Sequence, residues 1–172
     1  MIEKRATAGV TADGRKLTGY IAKFDSPTTI GGFTEIIRHG AFAASLKAGV
    51  DILALADHDP SRVLGRTRSG TLELREDDAG LAFTLSMPDT QTGRDLIALA
   101  ARGDLGGASF GFIVPEGGDS WQGNHRELRS VQLHEVSIVS AWPAYQDTEI
   151  SLRSRQADNG LAVRRAWLET CK

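Results

Sequence analysis

The sequence predicts a mainly β fold with helices, arranged as a closed or half-closed antiparallel β-barrel. Three observations carry that expectation. Segments rich in β-forming residues recur at short intervals with Gly, Asp and Pro between them. Only two segments have helical spacing. The regular β-α-β alternation of a parallel sheet is missing.

In chain order, "RKLTGYIAKF" (15–24) and "GLAFTLSM" (80–87) have strand composition, and "FTEIIRHG" and "DILALADHD" are shorter candidates. "GRTRSGTLELRED" reads as a hairpin turning at Ser69 and Gly70. "ASFGFIV" and "RELRSVQLHEVSIVSA" supply two late strands, the second long enough to bend or bulge. "GAFAASLKAG" places Phe42, Ala43 and Leu46 on one helical face. "DTQTGRDLIALAARGDL" does the same with Leu96, Ile97, Leu99 and Ala100, and glycine follows each helix. After Ser151 the character changes: "SLRSRQADNGLAVRRAWLETCK" carries four arginines and few apolar residues before Leu161. The expected division is therefore a barrel domain over 1–152 and a tail over 153–172, disordered or a short amphipathic helix.

The chain of 172 residues fits one domain, and 41% hydrophobic with 24% charged residues is ordinary for a soluble globular protein. A formal charge of −2 gives no reason to expect nucleic acid or an anionic membrane as a partner. No long apolar run and no signal-peptide core are present, so a cytosolic location is the default. The single cysteine, Cys171, excludes an internal disulfide and a cysteine-based metal site.

Gly107-Ala108-Ser109-Phe110-Gly111 satisfies G-x-S-x-G, the nucleophile elbow of α/β-hydrolases. An elbow needs a strand before the serine and a helix after it. Here a helix over about 90–102 precedes Ser109 and extended chain follows, so the elbow is rejected. Ser109 can still act from a strand. Alternation puts Ala108, Phe110 and Phe112 on one face and Ser109, Gly111 and Ile113 on the other. Small neighbours leave room for a substrate backbone.

A serine hydroxyl needs a base, and that base an orienting group. His39 sits at the edge of a helix start, and His125 lies in the polar loop "WQGNHRE". His58 closes the apolar strand "DILALADHDP" between Asp57 and Asp59, before a proline expected to end it. It is either a cleft-facing base or a turn histidine bonded to a neighbouring aspartate. In "LHEVSIV", alternation groups Leu133, Glu135 and Ser137 against His134, Val136 and Ile138. Glu135 or His134 is the candidate partner for His58, since a carboxylate in such a run is costly to bury alone.

The segments "GGFTEIIRHGAFAASL", "LALADHDPSRVLGRT", "LGGASFGF" and "LHEVSIVSAWPAYQDTEI" occur in an order and spacing that resembles the HK97-family phage prohead proteases, over about residues 16–152. The resemblance implies a herpesvirus-protease-like fold, a barrel of about seven strands surrounded by helices. It also implies a serine endopeptidase with Ser109 as nucleophile, His58 as base and Glu135 as third member. His134 is the alternative third member, because the herpesvirus enzymes use a second histidine. Backbone amides near Ser109, Arg66 and Arg126 are the oxyanion candidates. No cofactor and no metal are expected.

In such a family the substrates are the capsid protein precursor, at its scaffolding region, and the protease itself by autocleavage. This takes place inside the assembling prohead in the host cytoplasm. A homodimer or packed assembly that orders the active strand is compatible with this. The tail fits a self-cleavage or packaging segment, or a plain disordered terminus. Competing readings are a catalytically inactive capsid-assembly protein and a serine esterase or acyltransferase on the same barrel. Metal-dependent hydrolysis by Asp57, His58 and Asp59 is disfavoured because adjacent strand residues face opposite ways.

Overall fold

The computed structural model describes residues 1–7 and 9–141. The tail expected over 153–172 lies outside the described residues. Three sheets account for the strands. The first has the order β1 (Glu3–Thr7), β10 (Gly107–Ile113), β13 (Gln132–Val139), β6 (Leu53–Ala56), β7 (Asp59–Arg66). The second runs β2 (Thr11–Asp13), β3 (Lys16–Lys23), β9 (Gly80–Ser86), β8 (Leu72–Glu76). The third runs β11 (Asp119–Gln122), β12 (His125–Leu128), β5 (Phe33–Ile37), β4 (Thr28–Ile30). The helices are α1 (Ala43–Lys47) and α2 (Gln91–Arg102). Among the described residues no helix is long and apolar enough to cross a membrane.

The mainly β character with helices is as expected, but among the described residues no ladder closes a barrel. Nor is the pairing wholly antiparallel: β13 runs parallel to β6, and β12 parallel to β5. Parallel neighbours need long crossovers, which local turn signals cannot reveal. The turn at residues 67–70 is likewise not a hairpin, because β7 and β8 belong to different sheets and the turn is a corner between them. "RELRSVQLHEVSIVSA" is two strands, β12 and β13, in separate sheets. Pro60 does not end a strand but sits second in β7, an edge strand where its missing N–H costs no ladder bond.

The helix expectations hold where capping supports them. Thr90 caps α2 by accepting from the Gly93 amide at 3.2 Å, and Gly103 closes it at φ 76°. Leu96 is buried on the predicted face. α1 is a single short turn whose buried side is Phe42 and Ser45, whereas Ala43 is exposed. The Ser45 hydroxyl donates to the Val131 carbonyl at 2.6 Å and accepts from the Leu133 amide at 2.9 Å. Through that bridge α1 fixes the entry to β13.

β1 was absent from the expected elements because "EKRAT" has no apolar alternation. Its alternation is of charge instead. Arg5 donates to both Glu35 oxygens at 2.6 and 2.9 Å, and Arg126 donates to Glu3 at 2.6 and 2.8 Å and to Asp119 at 2.8 Å. Arg5, Glu35 and Arg126 are all buried, so β1 is tied to the third sheet by ions that water does not screen.

Burial pushes the Glu3 carboxyl up, but hydrogen bonds and charge from Arg126 and Arg5 outweigh it and hold the group below its ordinary value. A depressed carboxyl stabilises the fold above its unfolded value, and that contribution is lost as pH falls through the lower folded value. Thermal melts from about pH 6 to about pH 3 should therefore show a steep acid limb for the wild type. Glu3→Gln should start from a lower Tm and fall less steeply. Parallel acid limbs would show that Glu3 carries no pH-dependent stability.

Candidate active site

β10 is the central element. On its core side Phe110 and Phe112 are fully buried, their rings 5.1 Å apart, and Phe110 meets the edge of Phe42 at 5.4 Å. This is the face predicted by alternation. Ser109 therefore lies on the opposite face of a strand held rigid by aromatics, and it is 1% exposed.

The register of β10 against β13 decides what Ser109 meets. Ser109 pairs with Ser137 and Gly111 with Glu135, so these four share a face. The next pair is Phe112 with Leu133, which leaves His134 as an extra residue in β13. That bulge changes the expected alternation at one position. Glu135 and Ser137 keep their common face, but Leu133 turns into the core opposite Phe112, 5% exposed. His134 is exposed and lines a separate cavity beside α1 with Ala44, Val50 and Pro115. Glu135, and not His134, is brought to His58.

His58 arrives by a fold-back. Leu53 is the β6 residue opposite Glu135, and five extended residues would carry His58 about 16 Å along the strand from it. Yet His58 Nδ1 lies 2.7 Å from Glu135 Oε1. The chain reverses at Asp57 and His58, the two residues between the paired Ala56 and Asp59. Both have positive φ, 52° and 60°, as a type I′ hairpin turn requires. Neither is glycine, and the left-handed conformation costs roughly 1–2 kcal/mol at each. The second oxygen of Glu135 accepts from the Ser137 hydroxyl at 2.6 Å, so the carboxylate leans along β13 toward Ser109's cross-strand neighbour.

A carboxylate only accepts, so Nδ1 of His58 carries the proton and Nε2 presents its lone pair. That Nε2 is buried and, among the described residues, has no hydrogen-bond partner. An unsatisfied buried acceptor costs about 1–3 kcal/mol, which is tolerated where a reacting proton must be received. Ser109 is a buried hydroxyl on the same face as Glu135 and Ser137, its Cβ about 4.5–5.5 Å from that of Ser137 by antiparallel pairing. No Ser109–His58 hydrogen bond is formed among the described residues; such bonds commonly tighten only with substrate in place.

The other predicted residues fall elsewhere. Arg126 is committed to Glu3, Glu35 and Asp119. Arg66 pairs with Leu53 on β7, three strand spacings or roughly 14 Å from β10, and its guanidinium bonds Asp51 at 3.2 Å. Neither is placed at Ser109. The body of β10 has β1 on one side and β13 on the other, so its amides serve those ladders rather than an oxyanion. His39 packs on Phe24 with ring centroids 4.5 Å apart, and His125 is exposed on a hairpin. Asp57, His58 and Asp59 turn to three different partners: Ser140, Glu135 and Ser61. Hydrogen bonds from the Ser61 hydroxyl and amide lower the Asp59 carboxyl below its ordinary value.

Sequence reasoning assigned no role to Ser137 and read the glycine after the aromatic only as room for a substrate backbone, not as room for Glu135. The signal for Ser137 was its position two residues after Glu135. For Gly111 there was none, because what matters is the carboxylate across the ladder. A Cβ there would lie 2.5 Å from Glu135 Oε1. Gly111→Ala should therefore displace the carboxylate and lower Ser109-dependent activity by roughly 10- to 100-fold. The fold should lose no more than about 1–3 kcal/mol. Activity assays beside thermal melts check this, and full activity would mean that Glu135 moves without consequence.

Comparison with known proteins bears on the fold and the family. The solved structure of the bacteriophage T4 capsid assembly protease, gp21, matches with a TM-score of 0.59 at 11% sequence identity, covering 82% of this chain and 97% of that one. At such identity the likeness speaks for the fold. No curated protein sequence matches the chain. A family model described as caudovirus prohead serine protease, Peptidase_S78, matches residues 2–162. With nearly the whole length covered, the chain belongs to the caudovirus prohead serine protease family.

Proposed function

We propose that the protein is a capsid-maturation serine endopeptidase in which Ser109 is the nucleophile, His58 the general base and Glu135 the group that orients it. The observation that carries this reading is the His58–Glu135 bond of 2.7 Å, made by a carboxylate that faces Gly111 on the strand that bears Ser109. His58 Nε2 takes the hydroxyl proton as Ser109 Oγ forms a bond to the scissile carbonyl carbon. The resulting imidazolium, stabilised by Glu135, gives that proton to the leaving amine as the C–N bond breaks. Water then attacks the ester with His58 again as base, and the acid product leaves Ser109 free.

Burial supports this assignment. The His58 and Glu135 side chains are 5% and 13% exposed, so the charge pair that develops in the transition state is poorly screened and worth more than it would be in water. The Ser137 hydroxyl occupies the outer lone pair of Glu135 and keeps the carboxylate turned toward the imidazole.

The substrates that fit this reading are the capsid protein precursor, cut in its scaffolding region inside the assembling prohead, and the protease itself. Residues 1–152 form the protease domain, with 153–172 as its tail. A homodimer fits the same reading.

Wild type and Ser109→Ala, each co-expressed with the capsid precursor and read by intact mass spectrometry, test the assignment. Shortened capsid and protease chains are expected in the wild type only. His58→Ala should match Ser109→Ala, and Glu135→Gln should slow processing by roughly 10²- to 10⁴-fold. Equal processing by wild type and Ser109→Ala would clear Ser109 of the nucleophile role.

A further inference from the structure

We propose that Asp57 is a positioning residue for the reaction: its carboxylate clamps the His58 turn to the end of β13 and so sets the imidazole on Glu135. The inference rests on the reading of His58 as the base. Three observations converge on it. The first is the fold-back itself, since the 2.7 Å contact between His58 and Glu135 exists only because the turn reverses over the sheet face. The second is the bonding of Asp57. Its Oδ1 accepts from the Ser140 amide at 2.7 Å, and its Oδ2 accepts from the Ser140 hydroxyl at 3.0 Å and from Arg62 Nη1 at 3.2 Å. Its own amide donates to the Ile138 carbonyl at 3.0 Å. The third is the pair of positive φ angles at Asp57 and His58, a conformation that persists only where surrounding bonds over-determine it.

These contacts form a closed loop. Glu135 and Ser140 are both on the β13 chain, five residues apart. His58 is attached to the first and Asp57 to the second. Two adjacent turn residues therefore grip one strand at two points, which fixes both the height of the imidazole and its rotation about the strand axis. Arg62 on β7 adds a third point. With Asp57 truncated, the Glu135 contact and the amide bond to Ile138 remain, but the turn loses its side-chain bonds to Ser140 and Arg62 and with them the point that fixes its rotation.

The test uses the full chain and two readouts. In proton NMR the wild type should show a downfield His58 Nδ1–H resonance, assigned by its absence in Glu135→Gln. Labelling of Ser109 by a fluorophosphonate gives the rate and the probe's apparent affinity separately. Asp57→Ala should lose the resonance and label roughly 10- to 100-fold more slowly with unchanged probe affinity. Asp57→Asn, whose amide oxygen still accepts from the Ser140 amide, should recover the resonance and most of the rate. Ser140→Ala removes only the hydroxyl contact and should weaken both readouts partially, which keeps the test decisive if Asp57→Ala fails to fold. An unchanged resonance and labelling rate in folded Asp57→Ala, or in Ser140→Ala where Asp57→Ala does not fold, would overturn the proposal, as would the lack of the resonance in the wild type. Labelling that persists in Ser109→Ala would instead sink the nucleophile assignment while leaving the resonance test of Asp57 standing.

Discussion

The hydrogen-bond register between β10 and β13 governs where the candidate groups meet. Antiparallel pairing puts Ser109 opposite Ser137 and Gly111 opposite Glu135, and a slip of one residue would send every one of these side chains to the core face. Phe110 and Phe112 resist that slip from below, because their rings would have to leave the core for a face already filled by Ser109, Ser137 and Glu135. The bulge at His134 reconciles two demands on β13 that simple alternation cannot meet together. Leu133 must be buried opposite Phe112, and Glu135 must face the other way, two positions along the chain. One additional residue in one strand satisfies both.

That register holds an arrangement which costs stability locally. Two left-handed residues and an unsatisfied imidazole nitrogen together cost several kcal/mol. The same strand carries the offset on its reverse side, where each buried phenyl ring contributes about 1.5–3 kcal/mol. β1 flanks β10 and is itself held by buried ions rather than by apolar packing. The edge of the active strand is thus secured by a network with strict geometry, since removing one partner leaves another charge buried and alone. Rigid support around a strained turn is what an acyl-transfer site needs, because the base must meet the hydroxyl without reorganising.

Much of this was legible in the residues. The face of Ser109 followed from the period-two pattern of Ala108, Phe110 and Phe112, and the pairing of Glu135 with Ser137 from the same rule. What local pattern could not give was everything that depends on distant chain. The parallel ladders of β13 with β6 and β12 with β5 join segments that no turn connects. β1 was invisible because its stabilising partners, Glu35 and Arg126, lie far along the sequence. Arg126 looked like an available cation for the same reason, since nothing next to it shows that three carboxylates already surround it. His58 was read as the end of a strand, whereas it belongs to a type I′ turn that usually favours glycine or asparagine. Asp57 and the following Asp59 and Pro60 suit a turn, which was one of the two readings of His58, but a histidine at the second turn position does not announce type I′ geometry.

This bears on why G-x-S-x-G is present without a hydrolase elbow. In an elbow the strain is concentrated at the nucleophile, which sits in a sharp turn so that its hydroxyl stands clear of the backbone. Here the non-glycine residues with positive φ, among those described, are Asp25, Asp57 and His58, and Ser109 is an ordinary strand residue. The glycine after the aromatic also has a different duty: Gly111 leaves space for the Glu135 carboxylate across the ladder instead of permitting a turn. The positive φ angles lie at His58, the proposed base, and its neighbour, and not at Ser109, the proposed nucleophile. A straight strand can present a serine at no backbone cost, but only if the histidine comes to it, and the reversal at Asp57 and His58 is how the chain brings it there.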